Sequence, residues 1–143
     1  MFSNSSKYAI KAVLYLALFS SEKKKIMVKD LSKPINVPQP YIAKLLQELS
    51  REKIISSTRG PKGGFYLSKS NRNQQVINII YVIDGEKKIN SCMLSLEHCN
   101  EEKPCPLHNL VNPYRTKTLK SLQNKTINDL CEEVKQGNAF LPL

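Results

Sequence analysis

The chain has no tryptophan, only five glycines and two histidines in 143 residues, and no unbroken apolar run longer than Ala12–Phe19. That run falls well short of the roughly 20 residues that cross a bilayer, so no membrane-spanning helix is expected. Met1–Ser6 carries no basic residue and no small-residue cleavage site, which points away from a secretory signal and towards a cytoplasmic protein. With 12 acids and two histidines there is little material for general acid–base chemistry. A G-x-G-x-x-G element, a Walker loop and a G-x-S-x-G elbow are all absent, so no enzyme is expected. Four cysteines in such a chain are expected as thiols or metal ligands rather than as a disulfide framework. A chain of this length buries about 70% of its unfolded surface and can form one core without staples.

What is abundant is positive charge, and it is lopsided. Lysine and arginine number 22, for a net charge of +10. Residues 1–70 hold 13 of them against 4 acids, whereas residues 71–143 hold 9 against 8. A half-chain this basic suits a polyanionic partner, usually nucleic acid.

Periodicity places the elements. Ala9, Ala12, Val13, Leu16 and Ala17 share one face of a helix over Lys7–Phe19, with Ser5 or Ser6 as its cap. Val28, Leu31 and Ser32 suggest a short second helix, which Pro34 and Asn36–Val37–Pro38 are expected to interrupt. A third helix runs from about Gln39 or Pro40 to Arg51 and buries Ile42, Leu45, Leu46 and Leu49. Two β-capable runs then flank Arg59–Gly64, which holds three of the five glycines and a proline, a hairpin signal. Beyond it, Val76, Ile79, Ile80 and Ile83 mark a helix that stops at Gly85. Asn112–Pro113 reads as the cap and first turn of a helix to about Gln123, and Thr126–Asp129 as a capping box for a last helix to about Lys135.

Helix–turn–helix followed by a basic-tipped hairpin is the order of a winged helix, whose second helix enters the major groove while the hairpin touches backbone or minor groove. The candidate DNA-binding residues are Gln39, Tyr41 and Lys44 on that helix and Arg59 and Lys62 at the hairpin tip, with Lys53 flanking. Cationic side chains neutralise phosphates, while glutamine and tyrosine can read bases or fix register. An ordinary solvated charged face, with Tyr41 packed inwards, is the bland alternative.

A second constellation is Cys92, Cys99, Cys105 and His108, spaced C-x6-C-x5-C-x2-H. Soft thiolates select zinc, copper(I) or iron–sulfur clusters, and this spacing alone leaves the choice open, unconnected buried thiols included. His98 is an alternative fourth ligand, and Cys131, beside Leu130 and Val134, is expected in the core. A Cys3His RNA-binding finger also fits the spacing, but no aromatic lies between Cys92 and His108 to stack on a base.

Ser6–Lys7–Tyr8–Ala9–Ile10–Lys11–Ala12, the helix pair, Arg59–Gly60–Pro61–Lys62–Gly63–Gly64–Phe65–Tyr66–Leu67 and the spaced cysteines closely resemble the Rrf-two family of bacterial winged-helix transcription factors, which includes IscR-like and NsrR-like regulators. The resemblance covers about residues 1–135. It implies a mainly α fold with a small β wing: a winged helix-turn-helix domain over residues 1–85, a Cys-rich metal- or cluster-binding loop over 86–108, and a dimerisation helix with a C-terminal tail over 109–143. That helix spans about Pro113–Gln123 or starts nearer His108. The resemblance further implies a homodimer on double-stranded DNA at a pseudo-palindromic operator, acting as a repressor. It also implies an iron–sulfur cluster, 2Fe–2S ahead of 4Fe–4S, on Cys92, Cys99 and Cys105, with His108 fourth as in IscR-like members; zinc is the alternative. NsrR-like members take an acid near the amino terminus, and none precedes Glu22 here. The chain departs from the family in its six-residue first cysteine gap, in Ala43 where glutamate is common, and in Pro38 and Pro40 where serines are common.

Overall fold

A computed structural model of the chain describes residues 2–94 and 100–143. Its helices are α1 (Asn4–Phe19), α2 (Val28–Ile35), α3 (Gln39–Arg51), α4 (Lys69–Arg72), α5 (Val76–Asp84), α6 (Glu86–Asn90), α7 (His108–Gln123) and α8 (Ile127–Lys135). Between α3 and α4, β1 (Ser56–Thr58) pairs antiparallel with β2 (Gly64–Tyr66) in the register Ser56↔Tyr66, Ser57↔Phe65, Thr58↔Gly64. The expected mainly α fold with a small β wing is the one observed.

The main core gathers around α1, whose Ala9, Ala12, Val13, Leu16 and Ala17 form a wall of mostly small side chains. Small residues let α3, α5 and α8 approach closely. Ile42, Leu45, Leu46 and Leu49 of α3 bury as their spacing predicts, and Ile127 and Cys131 of α8 complete the same core. Burying such an aliphatic side chain contributes about 1.5–3 kcal/mol. A second cluster, Ile77, Ile80, Ile89 and Leu119, joins α5, α6 and α7. The β-branched run of α5 is helical because this packing, on both of its sides, outweighs local propensity.

Helix α1 begins at Asn4 and is capped by Ser3, not by Ser5 or Ser6. The cause lies outside the helix. Asp84 accepts from the Ser3 amide at 3.0 Å and from its hydroxyl, while Ser3 Oγ accepts from the Ser6 amide at 3.0 Å. Burial alone would raise the Asp84 carboxyl, but the Ser3 hydrogen bonds outweigh it and hold the group below its ordinary value. A lowered folded pKa means stability that is present above the unfolded pKa and lost as pH falls through the folded one. Asp84→Asn should therefore cost about 1 kcal/mol at neutral pH, a Tm drop of about 3 °C. Melts of the two proteins should converge as pH falls below the ordinary value of 3.8. A gap that persists at acid pH would show that the carboxylate charge is not what holds the helix start.

Two proline expectations need correcting. Helix α2 continues through Pro34 to the buried Ile35 and ends one residue later, at Asn36, in the left-handed region with φ 57°. Its last turn closes through Asn36 N–H to Lys33 C=O at 3.1 Å and Val37 N–H to Ser32 C=O at 3.2 Å, so the missing proline donor falls where the helix is ending. Helix α7 starts at His108, the earlier of the two expected starts, so the Asn112–Pro113 cap reading falls and Pro113 lies inside the helix. Leu107 C=O already accepts from Leu110 at 3.2 Å and Val111 at 2.9 Å, so the helix is established before the proline is reached. Asn112 does not cap it; its side chain serves Arg115.

Candidate nucleic-acid interface and thiol site

The hairpin is held from three sides. Gly63 N–H donates to Gly60 C=O at 2.9 Å, closing a turn with Pro61 at the position whose φ proline already satisfies. A Cβ on Gly63 would lie 2.3 Å from Thr58 O. One on Gly64, with φ 147°, would meet Ile26 O at 2.8 Å, because Ile26 and Phe65 exchange backbone hydrogen bonds at 2.9 and 2.8 Å. The paired glycines thus let the wing fold back on itself and lie against the strand-like residue before α2. At its base, Ser56 Oγ and Ser68 N–H donate to Asn71 Oδ1, both at 2.8 Å, and Asn71 Nδ2 donates to Lys53 C=O at 3.0 Å. Ser50 and Ser57 hydroxyls meet at 2.9 Å. These contacts bolt wing to helix, and sequence reading missed Asn71 although Ser68-x-x-Asn71 is a capping-box pattern.

Arg59 and Lys62 are exposed at the tip, and Gln39 and Lys44 are exposed on α3. Among the described residues the one ion pair is Lys135–Glu132 on α8, so no carboxylate neutralises these cations. Tyr41 is 38% exposed, yet its ring stands edge-on to Tyr8 at 6.0 Å and its hydroxyl bonds Ser5. It is therefore part exposed surface, part brace between α1 and α3. Lys25 Nζ, 5.5 Å from the Tyr66 ring centre, adds a cation beside the wing that the sequence had not singled out.

The thiol site lies between α6 and α7. Cys92, 4% exposed, and the half-buried Cys105 bring their Sγ atoms to 3.5 Å. His108, 7% exposed, opens α7 and lines the same small pocket with Met93, Leu107, Val111, Asn112 and Arg115. Its amide donates to Cys105 C=O at 3.0 Å, so helix start and thiol are one unit. Cys99 and His98 lie outside the described residues. Among the described residues no three His, Cys, Asp or Glu side chains gather on a common metal point. The pair itself fits a metal–thiolate group: two thiolates at about 2.3 Å from one tetrahedral ion stand about 3.8 Å apart. Cys131 is fully buried in the main core, as expected.

No helix among the described residues is long and apolar enough to cross a membrane. An HTH-type transcriptional regulator of Aquifex aeolicus is 30% identical over 132 residues, covering 91% of this chain and 90% of that protein. IscR of Pectobacterium carotovorum is 27% identical over 128 residues, 90% of this chain and 77% of its own. The structure of CymR, the global cysteine regulator of B. subtilis, superposes with a TM-score of 0.74 at 21% identity, over 92% of this chain and 96% of its own. The Rrf2 (Rrf-two) family model, described as an iron-dependent transcriptional regulator, matches residues 2–133. A match of that extent, on a helix pair bolted to a glycine-tipped wing, places the chain in the Rrf2 family of DNA-binding transcriptional regulators.

Proposed function

We propose that two copies of this chain grip a pseudo-palindromic duplex as a repressor, and that the state of the Cys92–Cys105 loop sets how well they grip. The carrying observation is the 3.5 Å thiol pair at the foot of α7. In this reading residues 1–85 read DNA, with Gln39, Tyr41 and Lys44 towards base edges and Arg59 and Lys62 on phosphates. Residues 86–108 form the sensing loop and α7 the dimerisation helix, whereas α8, expected with the tail in 109–143, packs through Ile127 and Cys131 into the core of the reading half. Leu110 and Tyr114, one turn apart on α7 and 66% and 72% exposed, supply an apolar stripe for the partner copy. Cys92, Cys99 and Cys105 with His108 would hold an iron–sulfur cluster, 2Fe–2S in preference to 4Fe–4S. When bound, such a cluster supplies one-electron redox chemistry at a potential set by its surroundings.

The chain's own part is mechanical. Cys92 and Cys105 held together pin the segment after α6 to the start of α7; released, they free it. Because α7 packs on α5 through Leu119, Ile77 and Ile80, and α5 packs on α1 and α3, a shift at the pin reaches the angle between the two DNA-reading halves. A bias of a few kcal/mol between the two arrangements changes operator occupancy by orders of magnitude. A structural zinc ion, or thiols without metal, is the second reading, since soft thiolates at this spacing suit zinc as well as an iron–sulfur cluster and the half-buried pair also packs as two neutral thiols.

Anaerobic protein reconstituted with iron and sulfide should bind its best selected duplex at least about tenfold differently from metal-free protein, by fluorescence anisotropy; such a factor is about 1.4 kcal/mol of coupling. Equal affinity in both states overturns the sensing reading. Failure to bind any duplex at low ionic strength overturns the whole of it.

A further inference from the structure

One charged group in the thiol site is not accounted for by the ligand set. Arg115 of α7 is 7% exposed and lines the pocket shared by Cys92, Cys105 and His108. It donates through Nη1 to Ser91 C=O, the carbonyl immediately before Cys92, and through Nη2 to Asn112 Oδ1 at 2.8 Å. Both acceptors are neutral. No carboxylate of the described residues pairs with it, although Glu101 lines an adjoining cleft with it. A guanidinium keeps its positive charge in proteins, and burying such a charge beside neutral dipoles alone is costly. Neutral hydrogen bonds occupy two of its five donors and do not cancel its charge. An anion brought into the same pocket would offset that cost.

We propose that Arg115 is the fixed counter-charge for a negatively charged metal–thiolate centre built on Cys92 and Cys105. The proposal rests on the metal reading above. With the ligand set proposed above, three thiolates and a neutral imidazole would leave one net negative charge on a divalent ion or on an oxidised 2Fe–2S core, and the pocket has an apolar wall in Met93, Leu107 and Val111 that strengthens the attraction. Through Ser91 the same side chain fixes the backbone that presents Cys92, so the charge is delivered from the helix that α5 and α6 support. Arg115 is a positioning residue, since it acts on the ligands and does not itself ligate.

The test uses the full-length reduced protein under anaerobic conditions with Co2+ as the probe, read by thiolate-to-cobalt absorption in competition with a chelator. Arg115→Gln removes the charge and, two atoms shorter, also gives up the reach to Ser91; Arg115→Lys keeps the charge and loses the fork. Arg115→Gln should bind Co2+ about 10- to 100-fold more weakly than wild type, the range for an outer-shell partner, and Arg115→Lys within about threefold. Far-UV circular dichroism should show all three folded. Equal affinity of Arg115→Gln and wild type overturns the proposal, and so does an equal loss in both variants, which would assign the residue to geometry alone. Should Arg115→Gln fail to fold, Arg115→Lys decides: near-wild-type affinity supports the counter-charge and a tenfold loss removes it. A wild-type protein that takes up no Co2+ on its thiols overturns the counter-charge proposal, while iron and sulfide reconstitution tests the cluster reading on its own.

Discussion

Arg59→Ala combined with Lys62→Ala is expected to weaken binding to the best selected duplex about 50-fold near 0.1 M salt, and to flatten the salt dependence by close to two units. Each phosphate contact neutralised by a cation contributes about 0.9 to the slope of log affinity against log salt, so two lost contacts set both numbers together. Both side chains are exposed and stand at the tip of a turn closed by backbone alone, Gly63 to Gly60, so their truncation should leave the melting temperature within about 2 °C. Filter binding or anisotropy across a salt series reads both quantities on one protein. A large loss of affinity with an unchanged slope would mean the tip reads bases or shape; an unchanged affinity would take the wing out of the interface.

Helix α3 and the wing were legible because each rests on a local signal. Ile42, Leu45, Leu46 and Leu49 sit at helical spacing, and glycines at 60, 63 and 64 can only be turn or close-approach residues. What escaped notice is what the chain decides at a distance. Ile26 pairs with Phe65 across the fold, Val76 N–H reaches Lys125 C=O at 2.9 Å, and the start of α1 is chosen by Asp84. None of these leaves a periodic trace. Helices α4 and α6, of four and five residues, are too short to show one.

The thiol site is a mixed case. Cys92, Cys105 and His108 were picked out by spacing, and two of the three thiols of the proposed set are indeed adjacent. Arg115 was missed for an identifiable reason. Once α7 is known to begin at His108, residues 108, 111, 115 and 119 form one inward stripe, and an arginine on that stripe stands out. Starting the helix at Pro113 cuts the stripe in two and leaves Arg115 looking like one more surface cation.

Cys105→Ser is expected to abolish iron and acid-labile sulfide retention after anaerobic reconstitution while leaving the helical fold intact. Serine presents a hard oxygen where a soft thiolate is needed, and its hydroxyl is a poor substitute in a sulfur ligand set. The residue is half-buried and belongs to neither apolar cluster, so the winged core built on α1, α3, α5 and α8 does not depend on it. Cys131→Ser reverses both expectations. That side chain is fully buried in the main core, so a hydroxyl there costs about 1–3 kcal/mol, while metal content stays at the wild-type level. Iron and sulfide analysis alongside thermal melts of the two variants separates a ligand thiol from a packing thiol in one experiment. Cys105→Ser protein that keeps its full complement of iron would remove Cys105 from the ligand set and leave the 3.5 Å pair as packing; loss of iron in both variants would mean that retention tracks core stability and not the thiol pair.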